Sequence, residues 1–107
     1  MATELTVINH VNLTALIEEG DRQKMRVVLN DQHPADLTEM LQELEMAPRL
    51  SCFRLLDLDN ASAVLAEMDP DNQRALLREL GDIGIVPIVS KMSPNDAVDL
   101  LAELPKD

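Results

Sequence analysis

Acidic side chains are the residues of this chain whose types and spacing are suited to chemistry. Asp96 and Asp99 are three residues apart, and Glu103 follows one turn later, so that in a helix they share one face. Clustered carboxylates offer the oxygen ligands that hard divalent cations prefer. The same residues also suit a solvated helix face, with Asp96 completing a cap begun by Ser93. The residues alone leave both interpretations open.

Other kinds of site find no support in the sequence. His10 and His33 have no cysteine or second histidine at ligand spacing, which argues against a zinc site, and His33 before Pro34 suits a helix entry. Local sequence shows no nucleophile elbow, glycine-rich phosphate loop or Ser-His-Asp arrangement. Cys52 lies among apolar residues and is expected to be a small buried hydrophobic residue. We therefore expect a binding module and not an enzyme.

The charge of the chain bounds its partners. Twenty acidic against nine basic residues give a net charge of −11, which repels nucleic acid and anionic lipid and attracts basic proteins or divalent cations. Acidity also serves solubility alone. No apolar run approaches the roughly 20 residues of a membrane helix, and the first residues lack the basic region of a signal peptide. We expect a cytoplasmic chain without direct membrane insertion.

A 12-residue pattern organises the elements that must position these groups. An apolar pair is followed three positions later by another apolar residue, in units that begin at Met40, Cys52, Val64, Leu76, Ile88 and Leu100. Each unit holds a helix of roughly eight to ten residues and a turn. Helices this short are marginal alone, so they must stack on their neighbours. The pattern predicts one all-α domain over 1–107, with the register clearest over 34–105.

Helices are predicted near 4–19, 21–31, 34–45, 47–56, 59–67, 71–80, 82–91 and 94–104. Asp69 and Ser93 are predicted to cap helices that begin with proline, and Gly20 and Gly81 to take the left-handed conformation after a helix end. Pro87 falls inside a unit and is predicted to kink the helix or to confine it to the following turn. The second apolar residue of every unit is predicted to be buried: Leu41, Phe53, Leu65, Leu77, Val89 and Leu101.

Four further aspartates, Asp57, Asp59, Asp69 and Asp71, lie around predicted helix starts. A carboxylate in that position satisfies exposed amides and the helix dipole without any ion. We expect them to have this structural role.

Three stretches of the chain resemble the cytosolic N-terminal domain of the MgtE magnesium transporters. They read HPADL at 33–37, ASAVLAEMDP at 61–70 and MSPNDAVDLLAELP at 92–105, and the last is the most specific. The resemblance spans about residues 30–105. It implies a right-handed superhelix of short helices, followed in the full-length protein by a paired cystathionine-β-synthase domain and a dimeric membrane channel.

The resemblance also implies a function, sensing magnesium at the cytosolic face of the inner membrane. Abundant Mg²⁺ would bridge carboxylates between this domain and its neighbours and close the channel, and scarce Mg²⁺ would let like charges separate. Since Mg²⁺ keeps most of its waters and needs only one or two carboxylates, no compact motif is required. Isolated from its partner domains, the chain is expected to bind Mg²⁺ weakly.

Matching the last stretch to the family places its ion-contacting positions on Asn95, Asp96 and Asp99, with Glu103 one turn further on. Two positions depart from the family pattern. Ala63 stands where a glutamate is common, and a methyl group cannot ligate magnesium. Asn95 stands where an acidic residue is often found.

Two other functions remain open from the sequence. The middle domain of the flagellar motor switch protein has similar short helices and a His-Pro phrase like His33-Pro34, which would make this chain a structural adaptor. The stretch at 92–105 fits the transporter family better. A free-standing helical-repeat scaffold that binds a basic peptide is the third possibility.

Overall fold

The structure, a computed structural model, describes residues 10–103 and shows helices without any strand over that range. The helices are α1 (His10–Glu19), α2 (Arg22–Asn30), α3 (Pro34–Gln42), α4 (Met46–Phe53), α5 (Leu58–Glu67), α6 (Pro70–Val89) and α7 (Pro94–Ala102). The all-α prediction is confirmed. The start of the predicted first helix, the first residues discussed as a signal peptide, and the last apolar position of the final unit, Leu104, lie outside the described residues.

The helices begin at regular places along the chain. Helices α2 to α6 start at residues 22, 34, 46, 58 and 70, and α7 starts at 94. Helix α6 contains a break at Gly81, where φ is 73° and ψ is 172°, and helical backbone resumes at Asp82. Glycine reaches this left-handed φ without the steric cost that a Cβ atom imposes. Gly20, with a φ of 75°, ends α1 in the same way, so the prediction for both glycines is confirmed.

Pro87 behaves differently from the prediction, because the break in α6 falls at Gly81 and Pro87 lies within helical backbone. The fixed φ of proline suits a helix, and its cost is one missing hydrogen bond to the carbonyl four residues earlier. That residue is Ile83, whose side chain is 91% exposed, in the first turn after the break. Water can reach this part of the helix, which explains why the proline is tolerated.

Side-chain caps begin most of the helices. Ser93 accepts a hydrogen bond from the Asp96 N–H at 3.3 Å, as predicted. Asp69 occupies the predicted N-cap position of α6, but its side chain makes no capping hydrogen bond, so that part of the prediction is wrong. Its backbone N–H instead donates to Gln42 Oε1 at 2.9 Å. A side chain of α3, Gln42, therefore pairs with a backbone amide at the start of α6.

The core follows the predicted register over most of the chain. Leu41, Phe53, Leu65 and Leu77 are buried, as predicted. Val89 is only half-buried, and Leu101 is 48% exposed, so these two predictions are wrong. The buried residue of the final unit is Leu100. Within residues 10–103 no later helix covers the outer side of α6 and α7, and this explains the loss of burial.

Helices pack mainly on the next helix but one. Helix α2 contacts α4, α3 contacts α5, and α4 contacts α6, while α3–α4 and α5–α6 pack as consecutive pairs. The result is elongated, with extents of 46 × 24 × 21 Å. Each central helix thus buries its apolar stripe between elements that are near in sequence.

Polar side chains satisfy helix ends that this packing buries. Arg49 is buried on α4, and its guanidinium donates to three carbonyl oxygens at the end of α3: those of Leu41 at 2.7 Å, Gln42 at 2.8 Å and Leu44 at 2.9 Å. The last carbonyls of a helix have no partner within it. One arginine therefore supplies hydrogen bonds to three carbonyl oxygens at and just after the end of α3.

Two amide side chains make the same connection one helix apart. Asn30 at the end of α2 accepts from the Asp57 N–H at 2.8 Å, and Gln42 at the end of α3 accepts from the Asp69 N–H at 2.9 Å. Asn30 also donates to the Leu55 carbonyl at 3.0 Å. The end of one helix is thereby joined to the start of the third helix after it, α2 to α5 and α3 to α6.

We predict that Leu65→Ala lowers the free energy of unfolding by roughly 2–5 kcal/mol, because the truncation leaves a cavity at a fully buried site. Leu101→Ala removes the same atoms at a half-exposed site and should cost much less. Chemical denaturation of both variants measures the difference. Equal losses would show that α5 is not part of the central core.

We predict that Arg49→Met destabilises the fold by roughly 2–3 kcal/mol, since it keeps an apolar stem but leaves carbonyls at the end of α3 unpaired. Arg54→Met, on an exposed residue at the end of the same helix, is the matched control. Urea unfolding compares the two. Similar stability of both variants would mean that the carbonyls are satisfied without Arg49.

Candidate functional site

The candidate site lies on α7, which local sequence sets in place. Ser93 caps its first turn, Pro94 occupies the first helical position, and Leu100 is the side chain that α7 buries in the core. The other side chains of α7 are exposed or half-buried. Groups on this helix are consequently presented to solvent.

Three of the four predicted site residues, Asn95, Asp96 and Asp99, are exposed on α7. Asp96 and Asp99 lie one helical turn apart on the side of α7 opposite Leu101. Asp96 stands in the first turn of the helix, where the backbone dipole favours a negative charge. Within the described range, no group of three or more histidine, cysteine, aspartate or glutamate side chains is arranged to hold a metal ion. Asp96 and Asp99 are therefore two exposed carboxylates on one helix without a complete metal-binding cluster among the described residues.

Glu103, the fourth predicted residue, is at the C-cap position of α7 and contacts a cation of the protein itself. Arg74 Nη1 lies 2.6 Å from Glu103 Oε1, with the two side chains 44% and 34% exposed, and Arg74 also pairs with Asp71. Hydrogen bonding to Glu103 raises the pKa of Arg74. The sequence analysis missed Arg74 because 29 residues separate it from Glu103.

Ala63, at the position where the family commonly has glutamate, is half-buried on α5. Its methyl group supplies no oxygen. On α7 itself, side-chain oxygen atoms belong to Asn95, Asp96 and Asp99.

An open apolar groove lies beside α7 and has a volume of about 370 Å³. Four of its lining residues, Asp82, Ile85, Val86 and Val89, form a stripe along the second part of α6, and Leu101 of α7 lines it as well. Large apolar side chains nearby are also exposed, namely Ile83, Val86, Val98 and Leu101. Contiguous exposed apolar surface marks an interaction site in many proteins. The sequence analysis missed this groove because it predicted that Val89 and Leu101 are buried.

The sequence profile of the MgtE intracellular N domain matches residues 32–107. The chain belongs to this family. It is 35% identical over 63 residues to the magnesium transporter MgtE of Thermus thermophilus, an alignment that covers 59% of this chain and 14% of the transporter. The chain therefore spans about one seventh of the length of that relative. The family assignment made from the three sequence stretches is confirmed.

The family match covers helices α3 to α7 of this MgtE N domain. It therefore contains both the Arg49 contacts and the acidic face of α7. No helix within residues 10–103 is long and apolar enough to cross a membrane.

Other polar residues of this MgtE N domain have structural positions. His33 caps α3 through Nδ1, which accepts from the Ala35 N–H at 3.2 Å, as a helix-entry residue should. Cys52 is buried, and burial raises the pKa of its thiol to about 11, so it stays protonated at neutral pH. The aspartates predicted at helix starts are found there: Asp57 and Asp69 at N-caps, Asp59 and Asp71 in first turns.

Proposed function

We propose that this chain is the cytosolic regulatory domain of a magnesium transporter and that it senses Mg²⁺ through contacts between carboxylates of different domains. The observation that carries the proposal is the family match over residues 32–107, which includes α7 with its exposed aspartates. The proposal places the domain at the cytosolic face of the inner membrane. Mg²⁺ is here the sensed ion and also the cargo of the transporter.

The proposed mechanism needs only part of a metal site on this chain. Asp96 and Asp99 would supply one or two carboxylates, and a neighbouring domain would supply the rest, with waters completing the octahedral shell that Mg²⁺ demands. When Mg²⁺ is scarce, the domain with its charge of −11 repels other acidic surfaces. Bound ions remove this repulsion, and the domains then close the channel.

The individual residues differ in what they could contribute. Asn95 would offer an amide oxygen, and Glu103 could join an ion only in competition with Arg74, which lies 2.6 Å from it. Ala63 contributes nothing, so we propose that the α7 carboxylates carry more of the closure here than in relatives with a glutamate at that position.

The proposed partners are the cystathionine-β-synthase-type domain and the membrane channel of the same dimeric transporter. The exposed apolar residues of α6 and α7 support a further domain contact at this end, because such a surface is unfavourable in water unless covered. We further propose that the chain is one domain over 1–107 and that its helices wind into a right-handed superhelix with a 12-residue repeat. The regular helix starts and the packing on the next helix but one support this arrangement.

A second candidate function is a helical-repeat scaffold for a basic peptide. The groove on α6 favours it, since an apolar stripe with Asp82 at one end suits a short amphipathic helix that carries a lysine or arginine. The flagellar motor switch alternative has no comparable support, and the family match argues for the transporter.

For the isolated chain, we predict that Mg²⁺ binds weakly and stabilises it little, because the carboxylates of the neighbouring domain are missing. Thermal unfolding in MgCl₂, compared with NaCl of equal ionic strength, measures the specific part of the effect. We expect nearly equal shifts in the two salts. A saturable Mg²⁺-specific shift at micromolar concentration would reveal a complete internal site and contradict this prediction.

In the full-length transporter, we predict that Asp96→Asn with Asp99→Ala raises the Mg²⁺ concentration needed for closure. The pair loses bridging as well as repulsion, but repulsion between exposed carboxylates is already screened over a Debye length of about 8 Å, so lost bridging should dominate. Channel activity and protease sensitivity of the domain junction, followed against Mg²⁺, measure closure.

The matched control is Asp36→Asn with Glu39→Ala, which makes the same change in charge on two exposed residues of α3. This control should retain the wild-type dependence on Mg²⁺. Wild-type closure in a correctly folded Asp96/Asp99 variant would show that the acidic face of α7 is only a solvated surface, and it would favour the scaffold function.

A further inference from the structure

Helix α7 has little hydrophobic contact with the rest of the protein. It buries one side chain, Leu100, whereas α3 and α5, which are of similar length, each bury four. Val98 and Leu101, the other large apolar residues within α7, are 65% and 48% exposed. Elements with few buried apolar contacts open at lower free energy than the core. α7 should therefore separate more readily than central helices such as α3 and α5.

An ion pair to α6 supplements this weak packing. Glu103 stands at the C-cap of α7, where the partial negative charge of the helix end disfavours a carboxylate. The Arg74 guanidinium lies 2.6 Å from that carboxylate, and its second arm pairs with Asp71 in the first turn of α6. Arg74 therefore neutralises a charge that would otherwise weaken the last turn of α7.

We propose that the Arg74–Glu103 pair is a latch that holds the C-terminal end of α7 on α6, and that breaking it lets α7 separate while the rest of the core stays folded. The two side chains are partly exposed, so dissolved ions can compete for them. Detached from α6, a helix of nine residues is too short to persist in water. When α7 does separate from α6, it consequently melts as a unit.

The latch determines how the acidic face is presented. Asp96 and Asp99 belong to α7, so their positions relative to α6 are fixed only while the helix is docked. A cation that takes Glu103 as a ligand must displace Arg74 and thereby release the helix. This consequence for magnesium rests on the proposed function, whereas the latch itself rests on packing and on the ion pair.

Hydrogen exchange of the α7 amides, measured in the 107-residue chain without Mg²⁺, tests the latch. Arg74→Met should speed the exchange of α7 by about two- to fivefold, the range expected for loss of a partly exposed ion pair, and leave α3 and α5 unchanged. Added NaCl should speed α7 exchange in the wild type and have little further effect in the variant. Arg78→Met, an exposed site one turn further along α6, is the matched control and should behave as the wild type.

The exchanged pair Arg74→Glu with Glu103→Arg, made together with Asp71→Asn so that the new carboxylate does not face a second one, distinguishes the charge interaction from simple packing of the arginine stem. It should restore most of the protection of α7. The proposal is wrong if Arg74→Met and Arg78→Met give equal exchange, if all helices accelerate together, or if the exchanged pair restores nothing. A working latch combined with wild-type Mg²⁺ closure in the Asp96/Asp99 variant would contradict the proposed function alone.

Discussion

Helices of eight to ten residues impose the constraint on which the rest of this structure depends. The first four N–H groups and the last four carbonyls of any helix lack partners within it, so in helices this short the unpaired groups are nearly half of the backbone donors and acceptors. Stacking the helices buries some of these groups, and buried groups must be paired. Arg49 does this for buried carbonyls at the end of α3, and Asn30 and Gln42 bond amides at the exposed starts of α5 and α6. Within residues 10–103, no fully buried side-chain nitrogen or oxygen lacks a partner.

The same constraint explains why the centre of the helix stack differs from its end at α6 and α7. A central helix such as α5 has neighbours that bury four of its residues, including Val64 and Leu65. At the outer end the described residues provide no further helix, and of the corresponding side chains Val89 is only half-buried and Leu101 is exposed. The incomplete end is also where the groove and the candidate carboxylates lie. The exposed apolar surface and the candidate carboxylates lie together because α7 buries only Leu100 in the core. Its other side chains are accessible for contacts with partners.

The electrostatics of α7 combine favourable and unfavourable placements. Asp96 in the first turn complements the helix dipole, while Glu103 at the other end opposes it and requires Arg74. A carboxylate that already has a protein cation differs from an exposed one as an ion ligand, because a metal must first displace the guanidinium. The four candidate residues therefore differ in what they present to an ion. Asp96 and Asp99 are exposed, Asn95 is neutral, and Glu103 is paired.

The sequence by itself determined the helices, the starts of α2 to α7 to within a residue, the left-handed glycines, the buried positions of the central units and the family. Each depends on short-range physics: proline and capping residues act on the next few amides, and the apolar stripe repeats within one turn. Only the tertiary structure decided that Leu101 is exposed and Leu100 buried, that Pro87 lies within helical backbone, and that the Asp69 N–H donates to Gln42. It alone brought Arg74 to Glu103 across 29 residues. These outcomes depend on which helix covers which, and no local pattern contains that information, because burial and ion pairing are decided by neighbours that are distant in sequence.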